Sequence, residues 1–185
     1  MRIVAGKYRG IVLKGFEFEN IRPTPDKVRE AVFSKIQFDV MNSSWLDLFG
    51  GTGAVGLEAL SRGAGNVVVC DDNSDSQKLI VGNYAKCKLK PNLIKNNYLK
   101  ALKLLKENDN KFDFVYLDPP FATNYGVKAI KLIAEYDMLN EDGVVIYESL
   151  KDNKIDNIDE YYELIDVKYY GTIAVTYLQK RDSDV

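Results

Sequence analysis

The spacing of apolar residues changes along this chain, and the changes divide it into elements. From residue 44 onward, short continuous apolar runs alternate with stretches in which apolar residues recur every three or four positions. The runs Trp45–Leu48, Val67–Asp71, Leu93–Lys95, Phe112–Leu117 and Val144–Glu148 read as strands. The stretches Ala54–Arg62, Asp75–Lys86, Leu99–Glu107 and Val127–Tyr136 read as helices, the first ended by Gly63. Strands that are apolar throughout and separated by helices predict a parallel sheet covered on both faces. The tail breaks this rhythm. Tyr161–Tyr170 and Thr172–Lys180 are two extended runs meeting at Tyr170-Gly171, which predicts an antiparallel hairpin.

Before residue 44 the pattern is different again. Segments near Arg2–Val4 and Ile11–Leu13 flank the turn-rich Gly6-Lys-Tyr-Arg-Gly10 and predict a short hairpin. A helix follows to about Phe38, with Thr24 suited to its N-cap, Pro25 to its first position and Asp26 to the positive end of its dipole. The expected architecture is one α/β domain over residues 1–185: a hairpin-and-helix extension over 1–43 and a doubly wound, Rossmann-like core over 44–185. An α/β sheet finished by an antiparallel pair is the class I methyltransferase variant of that fold.

Composition narrows the class. A hydrophobic fraction of 46% and a charged fraction of 28% are those of a soluble globular protein. No apolar run approaches the roughly 20 residues that span a bilayer. The start has no long apolar core behind its basic residue, so a cytoplasmic protein without a signal peptide is expected. Cys70 and Cys87 are the only cysteines and read as reduced thiols. There is no histidine, which excludes His-based triads and leaves no metal site expected. Net charge is −2, yet residues 1–35 hold eight Lys/Arg against four acids, and the remaining 150 hold 17 against 23. A basic arm on an acidic body suits docking on phosphate.

Ser44-Trp-Leu-Asp47-Leu-Phe49-Gly50-Gly51-Thr52-Gly53-Ala-Val-Gly56 joins the first core strand to a helix through a glycine turn. Such a turn brings backbone close to a ligand that side chains would block. Gly51-x-Gly53-x-x-Gly56 also matches the dinucleotide fingerprint. Asp47 tips the balance, because a carboxylate there meets the ammonium end of S-adenosyl-L-methionine and repels a pyrophosphate. Twenty residues after Gly51 stands Asp71, placed to accept hydrogen bonds from both ribose hydroxyls, with Asp72 the nearby competitor.

Val115-Tyr-Leu-Asp118-Pro119-Pro120-Phe121 places a carboxylate, two prolines and a ring where the fourth strand ends, the edge at which open α/β sheets bind ligands. An exocyclic base amine is a poor nucleophile because its lone pair is delocalised into the ring. A carboxylate (Asp118) and a backbone carbonyl (Pro119) accepting its two N–H bonds favour a pyramidal nitrogen. Consecutive prolines hold that carbonyl in place. Phe121 offers a face for a base pulled from its stack.

Gly6-Lys-Tyr-Arg-Gly10, Arg22-Pro-Thr24-Pro-Asp-Lys-Val-Arg-Glu-Ala-Val-Phe33, Asp47 through Ala64, and Asp118-Pro-Pro-Phe121 together resemble the RsmD family. These are bacterial methyltransferases that modify N2 of one guanine in 16S ribosomal RNA on the assembling 30S subunit. The resemblance runs from Met1 to about Lys180 and implies S-adenosyl-L-methionine as cofactor; a monomer is expected. It implies that Asp47, Phe49, Gly50, Gly51, Thr52 and Gly53 contact the methionyl part of the cofactor, Asp71 its ribose and Asn97 its adenine, with Tyr98 a further cofactor-binding residue. Asn97 departs from the family, which commonly has an acid there; its side-chain oxygen can still accept from the adenine amino group. Asp118, Pro119, Pro120 and Phe121 would hold the guanine. The basic arm and the resemblance together make Arg9, Arg22, Thr24, Lys27 and Arg29 the candidates for RNA contact.

Adenine-N6 and protein-glutamine methyltransferases share the same motif pair, and only the N-terminal segment separates them. A DNA adenine enzyme would need a target-recognition domain for which no residues remain. An NAD-dependent oxidoreductase leaves Asp118-Pro-Pro-Phe unexplained, and an intact motif argues against a non-catalytic ribosome-assembly factor.

Overall fold

A computed structural model of the chain describes residues 1–16, 26–121, 123–153, 155 and 160–181. Strands β1 (Ser44–Asp47), β2 (Asn66–Cys70), β3 (Asn92–Ile94), β4 (Phe112–Leu117), β5 (Leu139–Leu150), β6 (Tyr162–Tyr170) and β7 (Ile173–Lys180) form one sheet in the order β3-β2-β1-β4-β5-β7-β6. The first five run parallel, and β7 inserts antiparallel between β5 and β6. This is the class I Rossmann-like methyltransferase sheet that the apolar runs predict.

Both faces of the parallel strands are apolar, so both must be covered. Trp45, Val67, Val69, Phe114 and Tyr116 pack against α1 (Asp26–Lys35), α2 (Ala54–Ser61) and α3 (Ser74–Lys86). Leu46, Val68, Val115 and Leu117 pack against α4 (Tyr98–Glu107) and α5 (Tyr125–Glu135). Trp45 is enclosed between Phe33 and Phe114, with ring centroids 5.1 and 4.8 Å away, and this stack fixes α1 on the sheet. No described helix is long and apolar enough to cross a membrane.

Two elements differ from expectation. β5 starts at Leu139 rather than Val144, because Asn140-Glu-Asp-Gly143 resembles a turn but is carried inside the strand as a register shift against Phe112–Phe114. α1 ends at Lys35 rather than near Phe38, where the chain tightens into turns and leaves Phe38 88% exposed. Thr24 and Pro25, expected to start that helix, lie outside the described residues.

The N-terminal hairpin closes through the Arg2–Val12 bridge and docks through apolar contacts and hydrogen bonds together: Ile3 and Leu13 are buried in the core shared with α1 and α2, and backbone donors of the arm meet α2. Val4 N and Ala5 N donate to the Glu58 carboxylate at 2.8 and 3.1 Å, and Tyr8 N donates to Ser61 Oγ at 2.9 Å. Glu58 is fully buried and also accepts from Arg62 Nε at 2.8 Å, with Arg29 Nε 3.7 Å away. One side chain therefore ties the arm, α1 and α2 together.

Replacing Glu58 by Ala removes the acceptor of two backbone N–H groups and of Arg62 Nε, and takes the counter-charge from beside buried Arg29. Glu58→Ala should cost about 3–5 kcal/mol in denaturant unfolding, the scale of breaking a buried ion pair from one side. A loss of about 1 kcal/mol or less would show that the arm is held by something else.

Candidate functional site

Sheet order reverses direction between β1 and β4, the switch point at whose carboxyl edge open α/β sheets bind ligands. Asp47 closes β1 and Asp118 follows β4, so the topology sets the two carboxylates at the ends of neighbouring strands there.

The glycine loop turns away from β1 with Gly50 N donating to Cys70 O at 2.8 Å and Gly53 N to Gly50 O at 2.7 Å. Gly53 is the N-cap of α2 with φ 77°, a left-handed conformation that an L side chain would strain. Gly56 is required for close approach: a Cβ there would lie 2.5 Å from the Tyr84 hydroxyl. Its N–H points at Asp47 Oδ2, 3.3 Å away. Thr52 is buried in the same turn, and its carbonyl accepts from Asn83 Nδ2 at 2.9 Å. Asn83 also exchanges hydrogen bonds with Lys14 at 2.8 and 3.0 Å, so α3 anchors the loop and the arm together.

Asp47 is 2% exposed, and burial pushes its carboxyl up from 3.8 to about 7; the Gly56 N–H partly opposes this, while Asp118 and Asp71 add to it. A buried carboxylate beside other acids is a ready site for a cation. Asp71 follows β2 at the position expected. Its Oδ2 accepts from Gly51 N at 2.8 Å and its Oδ1 from Asn73 N at 2.9 Å. Those bonds aim it across the loop, and each oxygen keeps a lone-pair site for a ligand hydroxyl. Burial is the largest influence on Asp71 and raises its pKa.

Phe49, Tyr98 and Tyr125 form a row of rings with centroids 5.6 and 5.1 Å apart, joining the loop after β1 to the first residues of α4 and α5. Tyr125 was not singled out by the sequence, because its distance from Phe49 in the chain hides the contact. Asn97, expected to accept from an adenine amino group, is the N-cap of α4: its Oδ1 accepts from Lys100 N at 3.0 Å.

Asp118 is half-buried, Pro119 buried, Pro120 exposed and Phe121 half-buried. The Pro120 carbonyl accepts from Thr123 N at 3.1 Å and Thr123 Oγ1 at 2.7 Å, which holds the loop after Pro119. Phe121 packs on the α1–α3 side of the sheet, against the core that contains Tyr116.

The basic candidates separate. Arg9 and Lys27 are exposed. Arg29 is fully buried, with Nη2 donating to Arg2 O at 2.5 Å and Asp26 Oδ1 at 3.0 Å. The expectation that Arg29 contacts RNA is corrected: it fastens α1 to the hairpin. Arg22 and Thr24 lie outside the described residues. No group of three or more His, Cys, Asp or Glu among the described residues could hold a metal.

In sequence and in fold the chain is similar to known methyltransferases. The family model described as "Conserved hypothetical protein 95" matches residues 1–179. The chain is 32% identical to "Ribosomal RNA small subunit methyltransferase D" of Haemophilus influenzae over 176 residues, 94% of this chain and 91% of that protein. It is 31% identical to the protein of the same name from Escherichia coli K12 over 181 residues, 97% and 90% of the two chains. The solved structure of yhhF from Escherichia coli superposes with a TM-score of 0.84 at 26% identity, covering 97% of each chain. SMU.776, solved in complex with SAH, shares the fold with a TM-score of 0.66 at 18% identity over 82% of this chain and 49% of that one.

The raised Asp47 pKa has a consequence for stability. The protonated form is the one the fold tolerates, so its contribution is intact below about pH 4 and is lost as pH rises to about 7. Asp47→Asn removes the titration. The variant should gain on the wild type across that window, by up to about 4 kcal/mol, and hold the difference above it. A difference in unfolding free energy that stays flat from pH 4 to 8 would mean that Asp47 is not desolvated.

Proposed function

The chain belongs to the RsmD family, and from that premise we infer that it transfers a methyl group from S-adenosyl-L-methionine to the exocyclic N2 of a guanine in 16S ribosomal RNA. The observation that carries this is the pairing of β1 with β4, which sets Asp118-Pro-Pro-Phe121 beside the glycine loop and Asp47. The names of the relatives support ribosomal RNA of the small subunit as substrate. The assembling 30S particle in the cytoplasm is the proposed setting, with the chain acting as a monomer.

The residues present suit the cofactor. Asp47 gives its ammonium a counter-charge, Asp71 accepts from ribose hydroxyls, and Phe49 and Tyr98 offer ring faces at the carboxyl edge. When bound, the cofactor supplies a methyl made electrophilic by its sulfonium, so the chemistry calls for no metal. Asp118 and the Pro119 carbonyl accept the two N–H bonds of the target amine and orient its lone pair. The amine becomes acidic only as the methyl arrives, so alignment and charge stabilisation outweigh basicity. Phe121 stacks on the extruded base. Arg9 and Lys27, exposed on the arm and on α1, supply phosphate contacts.

Asp118→Ala should leave cofactor affinity nearly intact and lower turnover on unmodified 30S particles by about 100-fold or more. Product analysis of the wild type should show N2-methylguanine in 16S RNA and no methyladenine. Near-normal turnover of Asp118→Ala, or methyladenine as the product, would overturn the assignment.

If the arm docks on RNA, binding weakens steeply with salt, and the double variant Arg9→Ala/Lys27→Ala lowers both affinity and salt slope. An unchanged slope in filter-binding titrations would move the docking surface elsewhere.

A further inference from the structure

One buried acid at the carboxyl edge takes no part in the mechanism above. Glu148 lies near the end of β5 and is 1% exposed. β4 and β5 pair in parallel with Tyr116 opposite Ile146 and Leu117 opposite Tyr147. One step further, Asp118 and Glu148 come side by side, and strand alternation puts both on the face that carries Tyr116. β1 pairs with β4 so that Asp47 stands opposite Tyr116 on the other flank. Carboxylates from three neighbouring strands thus surround one buried phenol, whose hydroxyl donates to Glu148 Oε1. Burial, then Glu148, then Asp118 and Asp47 hold that phenol protonated, so it stays a donor.

We infer that Glu148 is a positioning residue for methyl transfer: pinned by Tyr116 beside Asp118, it is a second acidic group that ionises when the site takes up a cation and then draws positive charge toward the target amine. The inference rests on the methyl-transfer reading above and concerns the same site. As the amine lone pair closes on the methyl carbon, the carbon–sulfur pair returns to sulfur, which becomes a neutral thioether. The positive charge passes to nitrogen, which then releases its proton to Asp118. In sheet order this charge moves from the β1 side toward β4, and β5 lies next along that direction. Glu148 therefore attracts the charge more strongly after it has moved than before. Its burial favours action through the field, which is strong where water is excluded, over contact with substrate.

Two ligands read the field at the transfer point without any RNA. S-adenosylhomocysteine is neutral there, and sinefungin carries a primary ammonium in place of the methylsulfonium. Calorimetry on wild type and Glu148→Gln, which keeps the shape and the acceptor for Tyr116, gives the ratio of the two affinities. The preference for sinefungin should fall by about fivefold in Glu148→Gln. Turnover on 30S particles should fall by about tenfold or more, with KM for the cofactor within about twofold. Glu148→Asp, which retains the charge, should keep the ligand preference. Tyr116→Phe, which removes that hydrogen bond but keeps the acid, should lower turnover by less than the glutamine variant does.

An unchanged ligand ratio and unchanged kcat in Glu148→Gln would overturn the inference, whatever happens to thermal stability. Should Glu148→Gln fail to fold, unaltered kcat and ligand ratio in Tyr116→Phe would do the same. A wild type that binds neither ligand would sink the methyl-transfer reading and this inference together. A wild type that binds both and methylates, beside a glutamine variant identical to it, would sink the inference alone.

Discussion

The Glu58 carboxylate is the contact on which the rest of the site depends. It is enclosed in α2, the helix that starts at the glycine loop, and it takes its hydrogen bonds from the arm and from Arg62, with Arg29 of α1 alongside. A buried carboxylate holds its neighbours because leaving it unpaired costs more than the contacts gain. The arm therefore has one seat on the core. Gly56 lies two residues before Glu58 in the same helix, and its N–H is the donor aimed at Asp47. The placement of the basic arm and the aim of the loop amide are thus set by one short helix.

What the sequence disclosed, and what it hid, follows the range of the interactions. The sheet was legible because each strand is a local apolar run, and the glycine loop because its motif falls within a dozen residues. The end of β5 was legible, but its start was masked by Asn140-Glu-Asp-Gly143, whose composition signals a turn wherever it stands. Arg29 was misassigned because a count of charges says nothing of burial. Glu58 looks in sequence like an ordinary helix-surface acid, and only the docked hairpin shows what it binds. Asn97 precedes Tyr98-Leu99 at a position where Asn is a common helix cap, and the cap it forms on α4 is a signal that the local sequence carries. Asn83, Tyr125 and Glu148 matter through contacts between distant segments, which no local pattern encodes.

Electrostatically, the carboxyl edge carries an imbalance. Asp47, Asp71, Asp118 and Glu148 converge there from four strands, and burial raises the pKa of both Asp47 and Asp71. Such an edge suits a ligand that brings positive charge with it. In the free protein the desolvated acids weaken the fold to some degree; with a cationic ligand the same acids become binding determinants. Affinity for the ligand and stability of the fold are coupled through these groups.

The insertion of β7 between β5 and β6 bears on how the protein is made. The parallel strands β1 to β5 appear in sequence before the hairpin, but β5 has a partner on only one edge until residues 173–180 have left the ribosome. β6 cannot fill the gap, since it joins the sheet only through β7. The antiparallel register from Val144 to Leu150 is therefore completed late, and Glu148, paired with Val175, lies within it. During synthesis the half-built sheet exposes a strand edge, with the attendant risk of pairing with another nascent chain, until the hairpin docks as a unit.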